Sequence, residues 1–161
     1  GPKATFPLLY ERLSHDYATD IDFQPFRDIL RSHILETWPL GVGDELMGEP
    51  IEKRLFHSVI TAAKETGVDQ RRLRKLLEAE NLISPDFPDA WALFDAEAAS
   101  SLLAELVTFL PANLFAETLS MTQSQFDILV EDDVLKPALS DANTKHVWNP
   151  KNGQGFTWLK G

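Results

Sequence analysis

The same 23-residue pattern occurs twice in this chain, at an offset of 53 residues, and no other feature constrains the fold as much. The first copy reads TAAKETGVDQRRLRKLLEAENLI, from Thr61 to Ile83, and the second reads LFAETLSMTQSQFDILVEDDVLK, from Leu114 to Lys136. Ala63 matches Ala116, Gly67 matches Ser120 and Val68 matches Met121. Further on, Leu73 matches Phe126, Leu76 matches Leu129, Leu77 matches Val130 and Leu82 matches Leu135. In each copy a short helix carries a small Ala where another helix must approach closely. A tight turn follows, bent at Gly67 or Ser120 and plugged by Val68 or Met121. Asp69 or Thr122 then caps a second helix, and Thr122 with Gln125 has the spacing of a capping box. The second helix offers an i, i+3, i+4 apolar triplet to a core.

Both copies continue in the same way. After the first come a Pro-rich loop, the run Trp91-Ala92-Leu93-Phe94, and Asp95 opening a helix through Leu102, Leu103 and Leu106. After the second come His146-Val147-Trp148 and then Asn149-Pro150, an N-cap followed by proline at the first helical position. The expected fold is therefore mainly α: two tandem helix-turn-helix, winged-helix-like units with short β wings. An amphipathic helix precedes them, since Phe26, Ile29, Leu30, His33, Ile34 and Trp38 recur at three- and four-residue spacing until Pro39 and Gly41-Val42-Gly43 interrupt it. A plausible short helix over Leu8–Leu13 comes before that. The boundaries expected are an N-terminal helical segment at 1–50, a first unit at 51–110 and a second at 111–161. Gly1-Pro2 resembles the scar of a tag cleavage. The end of the chain, just after Phe156, Trp158 and Leu159, reads as that of an excised fragment.

With 43% hydrophobic residues the chain has material for a core, and no apolar run reaches the roughly 20 residues that cross a bilayer. There is no cysteine, which excludes thiolate chemistry, zinc ribbons and disulfides and fits a reducing cytoplasm. His15, His33, His57 and His146 are scattered, without metal-ligand spacing. The Gly41-Val42-Gly43 stretch lacks a preceding strand and a longer glycine fingerprint, so it reads as a connector rather than a phosphate loop. The cluster Glu131-Asp132-Asp133 points in three directions on a helix, with no partner spaced to complete a metal shell. No nucleophile–base set or carboxylate pair stands out. The expectation is a protein that is not an enzyme and carries no cofactor and no metal.

The formal net charge of −10 argues against a nucleic-acid partner until it is resolved along the chain. Residues 1–51 hold four basic and nine acidic side chains, and residues 84–144 hold one against eleven. Residues 52–83 hold seven against five, so the net-basic stretch ahead of the C-terminal lysines coincides with the first copy of the repeat. On its second helix Arg71, Lys75 and Glu78 lie opposite the leucines, Arg72 and Arg74 lie on the flanks, and Gln70 occupies the first turn. Guanidinium groups suit phosphates and guanine, and an amide suits adenine. The plainer reading is a solvated, charged helix face. Position on a recognition helix favours double-stranded DNA, with Gln70, Arg71, Arg72, Arg74 and Lys75 as contacts.

In the second copy those positions become Ser124, Gln125, Asp127 and Ile128 ahead of the acidic run, a poor match to phosphate. Ile128, Glu131 and Asp132 are instead candidates for a protein contact, against the simpler alternative of a scattered surface hydrophobe. The stretches ETWPLGVGDELMGEP (Glu36–Pro50), Arg54–Ile83 and HVWNPKNGQGFTWL (His146–Leu159) resemble the region that follows the zinc-bearing part of TniQ-like proteins. That resemblance implies a bacterial, nucleoid-associated mobile-element protein that recognises a DNA target in transposition, or that bridges a targeting complex to the transposition machinery. It puts Gln70, Arg71, Arg72, Arg74 and Lys75 at stake. The lack of cysteine departs from the family pattern; without a zinc-bearing part, a transcriptional regulator or protein–protein adaptor is the alternative.

Overall fold

A computed structural model describes residues 1–141 and 144–160. The fold is mainly helical with small antiparallel sheets. Three clusters of buried side chains run along the chain: Leu13 to Ile51, Val59 to Leu106, and Phe115 to Trp148.

The N-terminal part holds α1 (Pro2–Thr5), α2 (Pro7–Glu11) continuing as a π-turn over Arg12–Asp16, a 3₁₀ turn (Ile21–Phe23) and α3 (Gln24–Thr37). The amphipathic stripe expected on α3 is only half used. Leu30 and Ile34 are buried, but Phe26 and Ile29 are 58% and 70% exposed, because only one side of the stripe meets the core. The core also admits a cation. Arg27 is buried and donates to the Tyr17 carbonyl and to Gln24 Oε1 at 2.6 Å, so its charge is solvated by oxygen rather than by water.

The Gly-Val-Gly connector leads into a hairpin absent from the sequence reading: β1 (Glu45–Leu46) paired with β2 (Glu49–Pro50). Its two-residue turn places Met47 at φ 55° and Gly48 at φ 79°. Arg31 ties this hairpin to α3, donating to the Leu46 carbonyl at 2.5 Å and pairing with Glu49 at 3.3 Å.

Next come β3 (Phe56–Ser58), α4 (Val59–Thr66), α5 (Gln70–Ala79) and β4 (Leu93–Asp95), with β4 antiparallel to β3. Then follow α6 (Ser100–Val107), β5 (Leu110–Pro111), α7 (Ala112–Thr118) and α8 (Gln123–Glu131). β6 (Leu139–Asp141), β7 (Thr144–Trp148) and a 3₁₀ helix (Pro150–Lys160) complete the chain. The last sheet has the order β5-β7-β6. The closing segment expected to start at Asn149 starts there, with Asn149 Oδ1 accepting from the Lys151 amide at 3.0 Å, but it winds as a 3₁₀ helix.

The repeat is visible residue by residue. α4 and α7 begin 53 residues apart, as do α5 and α8. Gly67 and Ser120 occupy the same left-handed position, at φ 70° and 57°. Asp69 accepts from the Arg72 amide at 3.0 Å, while Thr122 and Gln125 close a reciprocal capping box. Leu73 and Phe126 plug the two cores at 0% and 2% exposure, and Val68 and Met121 pack at their edges. One detail differs: in α4 the deepest small residue is Ala62 at 0% exposure, with Ala63 packed beside it, whereas Ala116 is itself buried.

The copies diverge after their second helices. Residues 80–92 form no strand, and Trp91 from that loop stacks edge-on against Trp38 at 5.2 Å. The equivalent stretch of the second copy builds β6 and, with β7, a hairpin. Phe115, Phe126 and Trp148 form an aromatic cluster behind it, with centroids 5.1–6.3 Å apart.

Candidate nucleic-acid interface

The sequence places α5 as the helix to test. Its inner face is anchored by Leu73 and Leu77, both 0% exposed, with Leu76 packed alongside. At about 100° per residue the outer face then carries Arg71 and Lys75, and both are exposed. Among the described residues Arg71 makes no hydrogen bond and no ion pair.

The remaining three candidates serve the fold. On one flank Gln70 donates its amide to Asp89. Arg74 gives Nε to Glu78 at 2.7 Å, Nη1 to Asp89, and Nη2 to the carbonyls of Pro85 and Phe87, both at 3.0 Å. This guanidinium thus clips the Pro-rich loop to the helix and satisfies carbonyls that no strand collects. Burial pushes the Asp89 carboxyl up, but the hydrogen bonds from Arg74 and Gln70 outweigh it and hold the group below the usual carboxylate value. The same contact with Asp89 raises Arg74.

On the other flank Arg72 donates Nη2 to the Lys145 carbonyl at 2.7 Å, across 73 residues of sequence. Its Nε is buried with no hydrogen-bond partner. Arg72 therefore bridges α5 to β7 rather than reaching freely into solvent. The exposed strip of α5 runs between two walls, the loop 85–89 and the β6–β7 hairpin.

In the second copy Ile128 is 55% exposed, and Glu131 and Asp132 are exposed at the end of α8. Gln123 bonds Asp127 at 2.8 Å on the same helix, so its first turns offer amide and carboxylate groups and no cation. Among the described residues no group of three His, Asp or Glu is placed to hold a metal ion, and no helix is long and apolar enough to cross a membrane.

Several residues that shape this interface are invisible to local sequence reasoning. Asp89 looks like an ordinary loop acid. Lys145 sits in a short basic tail with no motif. Glu105, which accepts from Asn149 Nδ2 at 2.6 Å and lies 3.7 Å from Lys151 Nζ, joins α6 to the end of β7. Charge bookkeeping over residues 52–83 found the helix but not its walls. The chain matches no family profile, no curated protein and no solved structure.

Proposed function

We propose that this chain is a DNA-binding module in which α4 and α5 form a helix-turn-helix and α5 enters the major groove. The observation that carries the proposal is the strip of Arg71 and Lys75, at i and i+4, exposed on a capped helix whose opposite face is locked in a core. A groove about 12 Å wide admits such a helix, and a guanidinium at its N-terminal end suits guanine O6 and N7. Gln70 and Arg74 join the contact only by leaving Asp89, which reduces their contribution. The two copies, read as winged-helix-like units, would then differ in role: the first reads DNA and the second supports it. A place in transposon targeting follows from the TniQ-like sequence motifs alone.

The test is binding of labelled duplex DNA at several salt concentrations, for the wild type and for Arg71→Glu/Lys75→Glu. With two or three phosphates neutralised, log K should fall against log salt with a slope of about −2 to −3. The double reversal should remove binding while leaving the circular dichroism spectrum intact. Absence of wild-type binding at low salt, or binding indifferent to the reversal, sinks the proposal.

A second reading, an adaptor that docks a protein, is favoured by one observation: Ile128, more than half exposed, lies beside the acidic end of α8. Its partner would present an apolar side chain ringed by Lys or Arg. Under that reading Ile128→Asp abolishes partner capture and the α5 reversal does not.

A further inference from the structure

The first helix pair has no hairpin of its own, since β4 follows α5 after a loop without strands. The hairpin of the second copy lies beside α5. Leu139 of β6 packs against the first core. Val147 of β7 is buried and lines a cleft of about 160 Å³ with Gly67, Val68, Arg72 and Phe109. Arg72 Nη2 holds the Lys145 carbonyl, and the Asn149–Glu105 bond secures the strand's far end. The Leu139 contact and the Arg72–Lys145 bond therefore tie the hairpin to the first unit, and the Asn149–Glu105 bond ties the end of β7 to α6.

From this seating we infer that the β6–β7 hairpin acts as the wing of α5, and that Lys145 is a phosphate contact beside the groove that α5 enters. The β6–β7 pairing shifts register between Val147 and Thr144, so it is the bond from Arg72 to its carbonyl that places Lys145 beside α5. Its side chain is exposed, and among the described residues it makes no ion pair. Its carbonyl, in contrast, is fixed by Arg72, which holds the strand at a set distance from the Arg71–Lys75 strip. A cation on a strand tied to a basic helix is placed to meet the backbone flanking the groove, as phosphate contacts that set orientation require. Arg72 is then a positioning residue whose guanidinium joins the two copies into one binding surface. The inference rests on the DNA reading of α5 and adds the hairpin to it.

The experiment measures anisotropy of a labelled 20-base-pair duplex of random sequence against salt, using the full chain. Lys145→Ala keeps the carbonyl that Arg72 needs, so the fold should be undisturbed. Arg71→Ala reports on α5, and Lys136→Ala, a lysine paired with Asp133 at 3.2 Å, is the charge-matched control. Lys145→Ala should lower the magnitude of the salt slope by about one and weaken binding roughly three- to tenfold at low salt, with Lys136→Ala unchanged. In an Arg72→Met background the additional effect of Lys145→Ala should shrink, because the hairpin is no longer held at its distance. If Arg71→Ala weakens binding and Lys145→Ala does not, the wing assignment is overturned and the reading of α5 stands. Equal losses from Lys145→Ala and Lys136→Ala overturn it as well, since general electrostatics then explain both. If the wild type binds no duplex, the DNA reading and the wing fall together.

Discussion

Asp89→Ala separates the structural and functional demands on α5. The carboxylate accepts from Gln70 and Arg74, and the side chains of Asp89 and Arg74 are 26% and 22% exposed. Hydrogen bonds to charged groups contribute about 1.5–3 kcal/mol when well buried. Here partial exposure screens the pair, and Arg74 keeps Glu78 and two carbonyls, so a total of about 1–2 kcal/mol is expected. With a urea m value of about 2 kcal/mol/M, the midpoint followed by circular dichroism at pH 7 should drop by about 0.5–1 M.

The pH dependence has a definite sign. The folded state holds the Asp89 carboxyl below its unfolded value of about 3.9, so its contribution is complete above that pH and lost as pH falls through the folded value. The gap between wild type and variant should therefore close in acid. Removing Asp89 also deletes a negative charge beside α5 and loosens Gln70 and Arg74, so DNA affinity should rise and the salt slope steepen by up to about one. Equal urea midpoints at pH 7, or a gap that persists unchanged to pH 2.5, would refute the account of the clip. Weaker DNA binding by the variant would refute the account of the strip.

The two core plugs give a direct comparison: Leu73→Ala and Phe126→Ala should each lose about 3–5 kcal/mol in urea unfolding, as both side chains are essentially inaccessible. Gly67→Ala should lose about 1 kcal/mol from the left-handed backbone alone, because no atom lies within 4 Å of the added Cβ. The reciprocal Ser120→Gly should gain up to about 1 kcal/mol in the same urea unfolding, because it relieves the same left-handed strain. His57 is buried, stacked on Phe94 at 5.6 Å and close to Thr61 Oγ1 at 3.2 Å. Burial, with the charge of Arg54, lowers its pKa, so the unfolded chain takes up its proton first and stability should fall as pH drops below about 6.5. Urea midpoints from pH 7.5 to 5.5 should decline more steeply for wild type than for His57→Gln.

The repeat shows how much a sequence reveals when the controlling physics is local. Caps, the left-handed bend and the apolar triplet each involve residues within one or two turns, so the pattern at Gly67–Leu77 predicts its own geometry and that of Ser120–Val130. The α3 stripe shows the limit. Periodicity marked Phe26 and Ile29 as inward, yet what covers a helix face is decided by which other element arrives there. The β1–β2 turn was missed for a related reason, since Met47 is not a residue that favours the left-handed region it occupies.

By itself the sequence determined that this chain is mainly helical, that it carries one helix pair twice, and that the first pair bears the cations. What only the tertiary structure decided is which of those cations face solvent. Arg74 turns to a loop acid 15 residues away and Arg72 to a carbonyl 73 residues away, and Arg71 and Lys75 are exposed on the face between them. The reason is physical: a helix wheel assigns angles, but a guanidinium at the edge of a core settles on whichever oxygens long-range folding brings within reach.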